Sequence, residues 1–477
     1  MAQRQTWSLS QTANKASGVC SCCHATRQLL KKDGTINLHG PRLNRCPGSN
    51  KPPLASQPSS QQQLQSTPST TSVTATAAPV GNSTVVASCR TTTADTPAAF
   101  SHPQHVGGLI KHIPKSARPA CATLLTSLLN SNDLVAWSSL LHFGVNILQK
   151  PARTGARHNL AGIIKRRTEE TGTGEPTRTV SYAPHKRRNA NELLAAAVTA
   201  KVEDGNLKAA IRILCSEEKP ATDIDATYVK LIERHPSPPL NRIPAEDPDN
   251  VTAIQVSETE VLNAIRTFPA GSSGGPDGIR PQHVLDLVTC PESGSALLAA
   301  ITTLVNSLLT GNCNPAVTPI LFGGQLMALE KKSGGIRPIA IGYTWRRIAA
   351  KCANAHATAA LADYLQPTQL GVGTPGGCEA AVHATRRFTE SMPSGHCVVK
   401  LDFSNAFNSL HRDTMLAAVK QRVPGIYKFC LLSYNKPSVL LYADRTILSQ
   451  EGPQQGDPLG PALFCTAIHP LLLWSAR

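Results

Sequence analysis

"KLDFSNAFNSLHRD", residues 400–413, sets the question on which the fold turns. Val398, Val399, Leu401 and Phe403 read as an apolar strand, and Asp402 is the lone carboxylate in it before the chain turns into a helix. Burying a carboxylate is costly unless it is paired, hydrogen-bonded or bound to a metal. Either Asp402 has such a partner, or it lies outside the core.

The whole chain sets the frame. Its 477 residues suffice for two to four domains, whereas 36 prolines and 4% aromatic residues assign part of it to linker. A formal net charge of +16 favours polyanionic partners through phosphate neutralisation, although a merely soluble basic protein has the same balance. The opening "MAQRQTWSLSQTANK" has no apolar core of a secretory signal, so the 14 cysteines are expected as thiols in a reducing, intracellular compartment. The most apolar late stretch, "LGPALFCTAIHPLLLW", is short and broken by His469-Pro470, so no membrane span is expected.

Composition then divides the chain. Residues 15–50 place Cys20, Cys23, His39 and Cys46 in an arrangement that suits a tetrahedral structural Zn²⁺ site, with Cys22 and His24 as competing ligands. So small a segment would take much of its folding energy from the metal. The passage "LLKKDGTINLHG" reads as a hairpin returning the second ligand pair to the first. Residues 51–103 form a disordered Ser/Thr/Gln/Pro-rich linker, in which Lys51, Arg90 and Asp95 are the charged side chains. From 104 to 235 apolar residues recur at helical spacing, with basic clusters at 165–167 and 185–188. Such clusters can hold phosphates or direct nuclear import, and a solvated helix face is their commoner role.

The last part, 255–477, is organised differently. Ser257 and Glu260 form a capping box that starts a helix. "PAGSSGGPDGIRPQHV" is a Gly-rich loop without the Gly-Lys-Ser/Thr of a Walker motif. "GQLMALEKKSGGIRPIAI" reads as a hairpin carrying Lys331, Lys332 and Arg337 near its tip; such a tip can clamp a triphosphate or simply keep the hairpin soluble. A long helix, "TWRRIAAKCANAHATAALADYL", follows, and later two strand-like runs joined at Asp444-Arg445 lead to a helix whose start is marked by Asp457-Pro458.

"LDFSNAFNSL" and "GPQQGDPLGPALF", in this order behind the basic hairpin, resemble the fingers and palm of a reverse transcriptase, an RNA-directed DNA polymerase, of the non-LTR retrotransposon type. The resemblance covers roughly 255–477 and implies an α+β chain: a partial right-hand polymerase fold, fingers and incomplete palm, behind a helical region, a disordered linker and a zinc module. It implies that Asp402 is the first Mg²⁺-binding carboxylate, with the backbone carbonyl of Phe403 as a further ligand. Phe407 would be the wall beneath the sugar, Gln455 and Gly456 would contact the incoming nucleotide and template pair, and Arg337 with Lys331 or Lys332 would hold its triphosphate. The implied partners are an RNA template, a DNA primer and deoxynucleoside triphosphates.

In that family a Tyr-x-Asp-Asp motif behind the last helix supplies the other carboxylates, and no such motif occurs up to Arg477. "YADR", 442–445, precedes "QGDPLGP" and has Arg in its fourth position, so Asp444-Arg445 reads as a turn. With one carboxylate, two divalent ions cannot be held in working geometry, and this chain is expected to be inactive by itself. The alternatives are a non-enzymatic nucleic-acid-binding remnant of a retroelement and an incomplete gene product. A phosphohydrolase with a strand-end Asp nucleophile fits less well, because Ser404 stands where such sites place a second Asp.

Overall fold

The structure is a computed structural model and describes residues 17–19, 26–28, 108–131, 133–151, 159–171, 190–216, 218–243, 245–246, 248–332 and 334–475. The chain divides into two units, Met1–Arg90 and Thr91–Arg477. In the first, β1 (Ser17–Val19) and β2 (Thr26–Gln28) pair antiparallel, with Gly18 opposite Arg27. The zinc candidates Cys20, Cys22, Cys23, His24, His39 and Cys46 lie outside the described residues, as do the hairpin expected at 29–40, the linker at 51–103 and the basic cluster at 185–188.

The second unit mixes helices with a small sheet and is α+β. Its first helices are α1 (Arg118–Asn130), α2 (Leu134–Leu148), α3 (Leu160–Thr171), α4 (Ala190–Glu203) and α5 (Leu207–Cys215). Then come β3 (Lys219–Pro220), α6 (Ile224–Glu233), α7 (Glu258–Arg266), α8 (Pro281–Val288), α9 (Gly294–Leu309) and the short α10 (Thr318–Leu321). Side chains start several of them. Asp133, Asn206 and Asp223 accept from the N–H of Ala136, Ala209 and Ala226 at 2.8–3.0 Å. Ser257 and Glu260 make the reciprocal box read from the sequence. Each such cap satisfies a helix-end N–H that has no partner within the helix.

The chain continues through β4 (Gly324–Glu330), β5 (Ile336–Gly342), the 22-residue α11 (Thr344–Leu365), α12 (Gly377–Glu390), α13 (Arg412–Arg422) and α14 (Tyr427–Tyr434). It ends with β6 (Ser438–Tyr442), β7 (Arg445–Ser449) and α15 (Gly460–Ser475). β4 is the centre of the sheet. β5 runs antiparallel along it from Gly324↔Gly342 to Glu330↔Ile336; on the other edge β3 pairs with Glu330 and Leu329, and β6 runs parallel at Gly324 and Gln325. β6 and β7 form a hairpin whose two connecting residues are Ala443, at φ +51°, and Asp444. Alternating residues of β5 are buried, as a half-covered strand requires. Leu231 of α6 joins Leu326, Ala328, Ile336, Ala340, Leu440, Tyr442 and Ile447 in an apolar cluster on the sheet.

The larger core crosses the boundary that composition draws between 104–235 and 255–477. Phe143, Ile147 and Ile164 of the early helices share it with Val284, Leu304, Trp345, Phe429 and Leu463. Gly144 permits the contact, since a Cβ there would collide with the Asp277 carbonyl. The Gly-rich loop is thus pressed into the core, and Asp277 within it is fully buried. Among the described residues no helix is long and apolar enough to cross a membrane.

One expectation fails outright. Residues 396–403 form no strand, and Val398, Val399, Leu401 and Phe403 are exposed, with Leu401 at 76%. A strand exists only where its N–H and C=O groups meet a neighbour. Among the described residues none pairs with this segment.

Candidate functional site

The polar heart of the second unit is built on Arg346, on the buried side of α11. Its guanidinium donates to the Phe322 carbonyl at 2.7 Å, to Gln454 Oε1 at 2.5 Å and to Asp457 Oδ2 at 2.7 Å. The Tyr434 hydroxyl also donates to Asp457, whose other oxygen accepts from the Leu459 N–H at 2.9 Å and so sets the turn into α15. Gln454 donates to the Phe322 carbonyl and Ser438 Oγ, both at 2.9 Å. Arg412 also stacks over the Tyr434 ring, 5.1 Å from its centroid; it is fully buried and donates to the Gly452 carbonyl and Ser449 Oγ at 3.1 and 2.8 Å. Burial pulls its guanidinium down to about 10, and it remains a cation at neutral pH. Every charge here has a partner, which is the condition for keeping it out of water.

This network fixes the segment 451–457. The Ala340 N–H on β5 donates to the Gln455 carbonyl at 2.7 Å, and Gly456 follows at φ +125° against the Ala340 carbonyl. Gln455 is thereby presented at the edge of a cavity of about 220 Å³, lined by Lys331, Arg337, Phe403, Phe407, Gln455, Arg234, Asn405 and Asn408 among others. Phe407 is held by Phe464 of α15, with ring centroids 5.3 Å apart, and Phe403 meets the same ring edge-on at 6.3 Å. Three stretches far apart in sequence, the β4–β5 hairpin, residues 403–408 and Gln455, converge on one space.

The other site candidates stand differently. Lys332 is exposed and does not line the cavity; Gly456 is exposed beside Gln455 and likewise does not line it. Arg337 lines the cavity with its Nη1 2.9 Å from both carboxylate oxygens of Glu218, which precedes β3. Asp402 is exposed, is not part of the cavity lining and has no hydrogen-bond or ionic partner among the described residues. Of the two alternatives for Asp402, a buried partner or a place outside the core, the structure shows the second, and the strand expected around it is absent. Asp444 is exposed in the β6–β7 turn, 3.9 Å from Arg445 Nε, and Arg445 also pairs with Asp225.

Among the described residues no three of His, Cys, Asp and Glu converge as metal ligands. One exposed carboxylate does not make a site for two Mg²⁺ ions, which take several oxygen ligands each. The described residues therefore do not fit that pair of ions, and no step through them is derived. What the cavity can do is bind: cations face an anion, amides offer hydrogen bonds, and two aromatic rings give a flat apolar wall.

Sequence reasoning missed four members of this site. Glu218 and Arg234 come from the region before 255, and Asn405 and Asn408 hold the Arg234 carbonyl with their side-chain amides at 3.0 and 2.8 Å. No local pattern signals such pairings, because they depend on where α6 lies against residues 403–408. Compared with known proteins, the chain matches no family model, and no curated protein matches it.

Proposed function

We propose that residues 255–477 are the fingers and palm of a reverse transcriptase of the non-LTR retrotransposon type, and that the cavity receives a deoxynucleoside triphosphate. The observation that carries this reading is the convergence of Lys331, Arg337, Phe403, Phe407 and Gln455 on one cavity. Residues chosen by motif alone, from three separate stretches, have no reason to meet unless the motifs belong to one site. The cations would take the phosphates, Phe407 the sugar and Gln455 the base-pair side. RNA template and DNA primer would be the further partners of the full reaction. Zn²⁺ in the segment 15–50 belongs to the same reading, as does Mg²⁺, for which Asp402 would be one ligand and the described residues offer no second.

The isolation of Asp402 favours a second reading of this stretch alone: it binds nucleotide or nucleic acid without turning it over. Primer extension on an RNA template separates the two. This chain is expected to give no product. A version lengthened through the next in-frame downstream segment is expected to extend the primer and to lose that activity in Asp402→Ala. A lengthened version that binds template and primer yet never extends would overturn the polymerase reading and leave the binding one.

A further inference from the structure

We infer that Arg234, at the end of α6, is a third phosphate ligand of this cavity, supplied from outside the stretch 255–477 that carries the motifs. The inference rests on the nucleotide-site reading and deepens it. Arg234 lines the cavity with Lys331 and Arg337. Its Nη2 lies 4.0 Å from where a Cβ on Gly335 would stand, which places the guanidinium beside the tip of the β4–β5 hairpin, where the Lys331 chain also passes. None of the residues lining the cavity is acidic.

The two arginines differ in their engagements. Arg337 already holds Glu218 at 2.9 Å, whereas Arg234 has no side-chain partner among the described residues. An unpaired guanidinium at the mouth of a cationic cavity is the group with the least to give up on meeting an anion, and its planar fork suits two phosphate oxygens at once. What is fixed is its backbone. Asn405 and Asn408 both donate to the Arg234 carbonyl, so residues 405–408, which form one wall of the cavity, fix the backbone from which the guanidinium projects. A polyphosphate bound there would be held from two sides, by the hairpin and by α6. The ligand class is a triphosphate, free or carried by a nucleoside.

The test is calorimetric titration of the full chain with inorganic triphosphate and, separately, with deoxyadenosine triphosphate. Arg234→Ala should weaken both ligands by about 10-fold, the size expected for one charge-assisted contact, and Arg234→Lys should recover part of the loss. Because the clamp grips the backbone carbonyl, neither variant removes it, and an unchanged melting temperature verifies that the fold is intact. If Arg234→Gln and Arg234→Ala bind both ligands as the parent does while Arg337→Ala loses them, the role of Arg234 is wrong and the nucleotide site stands. If Arg337→Ala is also unchanged, the site itself is misassigned and the inference falls with it.

Discussion

The functional reading depends on two motifs, and residues 451–460, at the second, and residues 397–403, which lead into the first, are built in opposite ways. Asp457 is buried between Arg346 and Tyr434, and its neighbours Gln454 and Glu451 are buried and bonded in turn. Asp402 stands in solvent on a segment that no strand accompanies. The lesson is that a motif specifies chemistry, while the surrounding chain decides whether that chemistry has a place. Asp457 is a structural acid whose partners lie in α11 and α14; Asp402 has no partner among the described residues.

The sharpest way to break the contrast is Arg346→Ala. It would leave the Asp457 carboxylate buried without its cation, and removal of one member of a buried ion pair costs about 3–5 kcal/mol. Urea denaturation should show a loss of that order, and a loss near zero would mean that the network does not hold the segment. Gly456→Ala comes next. A side chain at φ +125° against the Ala340 carbonyl should cost about 1–3 kcal/mol and push Gln455 off its seat, read as a lower melting temperature together with weaker nucleotide binding.

Asp277 sharpens the comparison, since it is buried yet has no cation bonded to it; one oxygen accepts from the Ile279 N–H at 3.1 Å and the other has no partner. Burial pushes its carboxyl up to about 8. Between the ordinary carboxylate pKa, about 3.9, and about 8, the unfolded chain releases a proton that the folded chain keeps, so stability falls as pH rises. Asp277→Asn should abolish this fall, and its melting temperature relative to the parent should climb steadily from pH 5 to pH 8. The limit is roughly 1.4 kcal/mol for each pH unit. A difference that is flat with pH would show that Asp277 is ionised in the fold. Asp402→Ala is the smallest change: the melting temperature should stay where it is, and a clear drop would reveal a partner that the structure does not show.

How far the sequence could be read follows the same division. The β4–β5 hairpin, the capping box at Ser257 and the helix at 344–365 were legible because each depends on spacing within a short window. The cavity was half legible. Lys331, Arg337, Phe403, Phe407 and Gln455 could be named from motifs, whereas Arg234 and Glu218 could not, since they reach the site only through the packing of α6 and β3. The run at 398–403 misled for a physical reason: alternation reports that a segment could be a strand, and pairing makes it one.

That unpaired run bears on how the protein behaves in a tube. Extended, it would present Val399, Leu401 and Phe403 on one side, with Lys400 and Asp402 beside Val398 on the other. Exposed segments of this kind are where chains stick to one another, and charges placed within them act as gatekeepers against it. In colloidal terms Lys400 and Asp402 are protective: neutralising either should lower the concentration at which the protein precipitates, whether or not any nucleotide is ever bound.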